Sequence, residues 1–135
     1  SQALQRGAPI DVHPEVEHAL QHRLPVVALE STIITHGMPP PINLTTARSV
    51  ESIVRSTGAV PATIGLISGR VKIGLTPCEL ERLADVEHNK GVVKLSRRDL
   101  GPAIAGKRDG GTTCSTTLMF AALARIKACV IFLPQ

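Results

Sequence analysis

Val26-Val27-Ala28-Leu29-Glu30-Ser31-Thr32-Ile33-Ile34-Thr35-His36-Gly37-Met38-Pro39 begins as an unbroken apolar run and turns polar at a glutamate. A run without alternation predicts a strand over Val26 to Glu30 that is covered on both faces, the habit of sheets flanked by helices. In open α/β sheets ligands bind beyond the carboxyl ends of the strands, which is where Glu30 falls. Burial there favours the protonated carboxyl, the form a general acid needs. The competing reading is local: a glutamate before a turn can cap the backbone amides of residues 32 and 33.

Outward from this stretch, strands and helices alternate. Pro14 to Leu20 predicts a short helix with Glu15 and Glu17 in its first turn, favourable to the helix dipole. Pro39, Pro40 and Pro41 stop regular structure. Asn43 is then the expected cap of a helix carrying Leu44, Ala47, Val50 and Val54, with Gly58 just past its end. Val60–Ile67 and Arg70–Leu75 read as strands joined by a hairpin at Ser68-Gly69. Thr76-Pro77-Cys78-Glu79 has the form of a capping box, so a helix should follow to about Ala84. Gly91–Leu95 predicts a strand, Arg97–Ala105 a short helix, Ser115–Lys127 a longer one, and Ala128–Leu133 a last strand. The pattern predicts an α/β fold: a mixed, largely parallel sheet with helices on both faces.

The chain has 135 residues, room for one domain that would bury roughly two-thirds of its unfolded surface. Aromatic content of 1%, Phe120 and Phe132 alone, argues against a base-stacking surface for single-stranded nucleic acid. The net charge of +4 is spread out except at Arg97-Arg98 and Lys107-Arg108, which read first as solvated surface and second as contacts for a small anion. No apolar run reaches the ~18 residues of a membrane span. Cys78, Cys114 and Cys129 form an odd set without CxxC spacing, which suits a reducing compartment, cytoplasmic or mitochondrial. Asp99, Asp109 and the five histidines show no ligand spacing, so no metal site is expected from the residues themselves.

Two further stretches could meet an anion. Gly110-Gly111-Thr112-Thr113 before a helix offers backbone N–H groups, hydroxyls and a positive dipole end, although such an entrance is most often only a cap. Lys94 ends a strand just before the arginine pair, and the plain alternative is a surface lysine. Cys114, at the same helix start, could have its thiol activated by the dipole, a weaker reading. His36, a lone loop histidine, is more often structural than catalytic.

Taken in order, the Leu29-Glu30-Ser31-Thr32 stretch, Gly58-Ala59-Val60-Pro61-Ala62-Thr63-Ile64, Lys94-Leu95-Ser96-Arg97-Arg98-Asp99-Leu100 and Gly110-Gly111-Thr112-Thr113-Cys114-Ser115-Thr116-Thr117 resemble the pseudouridine-5'-phosphate glycosidase family, also called indigoidine synthase A-like. The resemblance covers about Asp11 to Lys127. It implies reversible cleavage of pseudouridine 5'-phosphate to ribose 5-phosphate and uracil. A C–C glycosidic bond has no leaving oxygen to protonate, and the family opens the ribose and forms a lysine imine at C1' as the electron sink. By the same resemblance Glu30 is the proton donor, Lys94 and the Thr113-Cys114 turn hold the phosphorylated sugar, and manganese is the metal. Homo-oligomers, trimers by the same resemblance, and a fused or associated sugar kinase are the implied partners.

The likeness stops after Ile126-Lys127. The family continues there into a glycine-rich stretch, an aspartate metal ligand and the covalent lysine, whereas this sequence reads Ala128-Cys129-Val130-Ile131-Phe132-Leu133-Pro134-Gln135. Residues 1–135 are therefore expected to be the N-terminal part of a glycosidase-like domain, with an incomplete sheet and no turnover of its own. The alternative is a non-catalytic phosphosugar-binding or oligomer-associating fragment.

Overall fold

The computed structural model describes residues 7–130. Along the chain run β1 (Ile10–Val12), α1 (Pro14–Gln21), β2 (Val26–Leu29), a π-helical turn (Ile33–Gly37), α2 (Ile42–Ser56), β3 (Val60–Ile67) and β4 (Arg70–Ile73). There follow α3 (Pro77–Ala84), β5 (Val93–Leu95), a 3-10 turn (Arg97–Asp99), α4 (Leu100–Ala105), β6 (Gly110–Thr112), α5 (Cys114–Leu123) and β7 (Ala128–Val130).

One seven-stranded sheet follows the path β1-β4-β3-β2-β7, with β6 on β3 and β5 on β6. The β1·β4, β2·β3, β2·β7 and β5·β6 pairs are parallel, while β3·β4 and β3·β6 are antiparallel. The sheet is thus mixed and mostly parallel. β3 is its spine. Its first half, Val60 to Thr63, pairs with β2, and its second half, Gly65 and Leu66, pairs on the same edge with β6. One strand therefore gives way to another beside β3, directly after Leu29.

Alternation along β3 separates two cores. Ala62, Ile64 and Leu66 pack with Val16 and Ala19 of α1, Ala103 of α4 and Phe120 and Ala121 of α5. Ile67 points the other way, into a cluster with Ala47 of α2 and Leu80, Leu83 and Ala84 of α3. Helices cover both faces, as the unbroken apolar runs required. Among the described residues no helix is long and apolar enough to cross a membrane.

Local chemistry explains most element boundaries. The capping box of α3 is complete: Thr76 Oγ1 accepts from Glu79 N–H at 3.2 Å, and Glu79 Oε1 accepts from Thr76 N–H at 2.9 Å. Ser68 (φ 49°) and Gly69 (φ 77°) make the predicted hairpin turn.

Several expectations need correction. Asn43 does not cap α2, which starts one residue earlier behind Pro41. It is 1% exposed, and its Nδ2 donates to Ile34 O at 3.0 Å and Ala84 O at 2.7 Å. Gly110–Thr112, read as part of a helix entrance, is a strand. Two glycines lower strand propensity, but β3 and β5 satisfy the backbone from either side. The helix expected to reach Lys127 ends at Leu123, where Arg125 adopts a left-handed φ of 64° without a glycine to mark the stop. β1 and the π turn were not anticipated. The last strand begins at Ala128 as expected, and its Ile131 to Leu133 portion lies outside the described residues.

Candidate functional site

Where β2 leaves the edge of β3, Ser31 splices the two strands that succeed each other there. It is fully buried; its hydroxyl donates to Ile64 O at 2.6 Å and accepts from Thr112 N–H at 2.8 Å. Thr112 Oγ1 donates to the same Ile64 carbonyl at 2.8 Å, so at its 2.8 Å contact with Thr117 Oγ1 the Thr117 hydroxyl is the donor. Thr116 Oγ1 donates to Leu95 O at 3.0 Å and so ties α5 to β5. These hydroxyls are each almost completely inaccessible, and their mutual bonds offset the cost of burying them. They hold β2, β3, β5, β6 and α5 in register around one end of the sheet.

Glu30 stands at that end, 6% exposed, as the last residue before the turn. Its surroundings can be read from Cys129, which lies opposite Ala28 across the β2·β7 pair. Burial pushes the Cys129 thiol pKa up, with Cys114 and then Glu30 adding to the effect, so these three side chains share one neighbourhood. Glu30 also lines a close-packed crevice with Ile33, Met38, Ala47 and Val50, with room for about 10 Å³, at the lower limit for a single water molecule.

Lys94 is on β5, exposed, and registers with Gly111 of β6. Thr113 is the N-cap of α5, and its side chain makes no capping bond; its hydroxyl instead contacts Thr116 Oγ1 at 3.1 Å and Ser115 Oγ at 3.4 Å. Cys114 opens the helix and is half-buried. Glu30, Lys94, Thr113 and Cys114 are thus brought to one end of the sheet. The Gly110-Gly111-Thr112 part of the helix entrance expected to meet an anion is not available to a ligand. Its backbone belongs to the sheet, and the Thr112 amide and hydroxyl are taken by Ser31, Ile64 and Thr117.

The π turn closes the site from above β6. Thr32 Oγ1 donates to Gly111 O at 3.3 Å, and buried Thr35 brings Oγ1 to 2.6 Å from His36 Nδ1. The pKa of His36 lies below its ordinary value, first through burial and then through the charge of Lys94. Asp99, whose spacing suggested no metal ligand set, closes a capping box with Ser96 and shapes the Arg97-Arg98 turn. Asp109 accepts from Arg82, Asn89 and the Ser68 amide and is a structural anchor. Among the described residues no group of three His, Cys, Asp or Glu side chains is placed to hold a metal. A cleft of about 650 Å³ lies away from this site, by the amino ends of β2 and β7, where Arg23, Arg125 and Lys127 line it.

Sequence reasoning missed Ser31, Thr35, Gly111, Thr116 and Thr117 as the residues that position this end of the sheet. The available signal was the hydroxyl-rich run Thr112 to Thr117. So many hydroxyls at the buried start of a helix need internal partners.

A family model described as "Indigoidine synthase A like protein" matches residues 15–131. Pseudouridine-5'-phosphate glycosidase of Solibacter usitatus is 57% identical over 118 residues, covering 87% of this chain and 38% of the relative. The Escherichia coli glycosidase is 52% identical over 118 residues, again 87% of this chain and 37% of the relative. Among solved structures, the prealnumycin C-glycosynthase AlnA in complex with ribulose 5-phosphate superposes with a TM-score of 0.76 at 42% identity, covering 89% of this chain and 37% of that one. The chain therefore spans a little over a third of the length of the relatives it matches.

Proposed function

Since the chain belongs to the indigoidine synthase A-like family, we propose that it contributes the acid and the phosphosugar contacts of a pseudouridine-5'-phosphate glycosidase site. The observation that carries this reading is the convergence of a buried carboxyl, Glu30, with Lys94 and the first turn of α5 at the carboxyl end of β2. Glu30 delivers a proton as the C–C bond to uracil breaks. Lys94 binds the phosphate by a charge-assisted contact, helped by the Cys114 backbone N–H and the Thr113 hydroxyl at the start of α5, the Thr113 N–H being given to Leu95 O at 3.1 Å. The AlnA complex, with its bound phosphorylated pentulose, supports a phosphosugar as the ligand class.

The manganese implied by the family resemblance finds no three-ligand cluster among the described residues. A homotrimer and a sugar-kinase partner are proposals on the same footing, to be read by light scattering and co-purification.

The test places residues 11–127 in the corresponding segment of the Escherichia coli glycosidase, which is 52% identical. Glu30→Gln keeps size and polarity but cannot release a proton, so kcat should fall with KM little changed. Lys94→Ala loses a contact of roughly 1.5–3 kcal/mol, so KM should rise about tenfold or more. A Glu30→Gln effect confined to KM, or an unchanged KM for Lys94→Ala, overturns these roles.

A second reading is phosphosugar binding without turnover, which Lys94 and the start of α5 could perform without an acid, and which the AlnA complex with ribulose 5-phosphate supports as to ligand class. On that reading the 135-residue chain binds ribose 5-phosphate, releases no uracil from pseudouridine 5'-phosphate, and leaves no borohydride-trapped adduct on Lys94.

A further inference from the structure

We propose that His36 contacts the ligand alongside Lys94, with Thr35 as the residue that positions its ring; this rests on the phosphosugar reading above. The geometry begins with the π turn, Ile33–Gly37, a wide turn of a kind that recurs at functional sites. It buries Ile34 and Thr35 and leaves the next residue, His36, exposed. Thr35 Oγ1 lies 2.6 Å from His36 Nδ1, so one ring nitrogen is engaged inside the protein. Among the described residues Nε2 has no hydrogen-bond partner. The tie fixes the ring and leaves a single nitrogen for a ligand.

The second observation is where this pair rests. A Cβ on Gly111 would collide with Thr35 Oγ1, so the Thr35–His36 pair lies directly against residue 111. The sheet partner of Gly111 on β5 is Lys94. Thr35 Oγ1 thus fills the space left by the missing Gly111 side chain, and His36, next to Thr35, and Lys94, next to Gly111 in the sheet, are neighbours of the same glycine. Burial and the Lys94 charge keep the imidazole neutral near pH 7, so the two groups do not duplicate each other. Lysine takes the phosphate charge, and a neutral ring nitrogen suits a sugar hydroxyl or a phosphate oxygen as a hydrogen-bonding partner. The ligand class is a phosphorylated sugar in which hydroxyl and phosphate stand close enough to be shared.

The experiment titrates ribose 5-phosphate, with ribose as control, into the 135-residue chain by calorimetry. His36→Ala should weaken binding about tenfold, the loss of one hydrogen bond to a charged or polar ligand. Glutamine places its amide where Nε2 stands and asparagine where Nδ1 stands. His36→Gln should therefore recover most of the affinity and His36→Asn should not. Thr35→Val, which keeps shape and loses the anchor, should weaken binding about threefold or more, yet add little in a His36→Ala background, because the two residues act as one unit.

A purely structural histidine would change the melting temperature without separating Gln from Asn. Should Thr35→Val fail to fold, the Gln and Asn variants at the exposed ring still decide. If the wild-type chain binds ribose 5-phosphate and Lys94→Ala weakens it while His36→Ala does not, this inference falls and the phosphosugar reading stands. If the wild-type chain binds no better than to ribose, both fall.

Discussion

A Cβ built on Gly111 would stand inside contact distance of Thr35 Oγ1 and 2.9 Å from the Ser31 carbonyl oxygen. The threonine could turn away, but the Ser31 backbone cannot, because its hydroxyl and amide are bonded to Ile64 and Thr112. Gly111→Ala should therefore cost about 1–3 kcal/mol, the usual penalty of overpacking, visible in urea as a lower midpoint at unchanged m. The same change should weaken any ligand held between His36 and Lys94. At this scale the position of Glu30, just beyond a buried strand, was legible from the apolar run before it, because that placement is a local property of the chain. His36 was not, since the meaning of its ring depends on Thr35 inside the turn and on a lysine more than fifty positions away.

Elements are held together by polar groups whose roles the local pattern describes unevenly. Thr76 and Glu79 form the capping box that their spacing announced, and Thr76→Ala should lower stability by about 1 kcal/mol in a thermal or urea melt. Asn43 had an equally good claim to be a cap. Instead its amide bridges the π turn at Ile34 and the end of α3 at Ala84, and its Oδ1 accepts from Leu44 N–H at 2.8 Å. Serine would be neutral at a capping position. Here Asn43→Ser should cost as much as Asn43→Ala, about 2–3 kcal/mol, because both leave buried carbonyls without a donor. Equal chemical denaturation midpoints for wild type and Asn43→Ser would restore the capping role.

Across the whole molecule, acid should act through carboxylates that fold into donor-rich surroundings. Arg70 binds Asp11 through Nε and Nη2 at 2.8 and 2.9 Å and Lys72 adds a 2.7 Å contact, which holds the Asp11 carboxyl well below its ordinary range against the opposing effect of burial. Burial would raise the pKa of Asp109, but Arg82, the Ser68 amide and Asn89 outweigh it and lower it. Groups whose pKa falls on folding stabilise the native state above their unfolded pKa of about 3.9, and lose that contribution as pH drops through the folded value. His36, also lowered, has the same sign: its neutral form is favoured in the fold, so protonation begins to oppose folding below about pH 6.5. The melting temperature should decline slightly below that pH and steeply below pH 4. Added salt should weaken the half-exposed Asp11 part more than the Asp109 part, whose carboxyl side chain is 5% exposed. Asp109→Asn should flatten the acid limb at high salt; an unchanged limb would remove Asp109 from this role.

The β2 run, the Ser68-Gly69 hairpin and the α3 capping box were readable because each depends on neighbours within a few positions, where spacing and side-chain type are sufficient. The mixed, mostly parallel sheet with helices on both faces followed from their alternation. What only the tertiary structure decided is the succession of β2 and β6 along one edge of β3. Gly110–Thr112 becomes a strand only because β3 and β5 satisfy its backbone, and Ser31 becomes a splice only because Ile64 and Thr112 meet it there. Bonds between residues 31, 64 and 112 join positions far apart in the chain. Their strength depends on distance and desolvation in the folded state, which no local pattern of residues encodes.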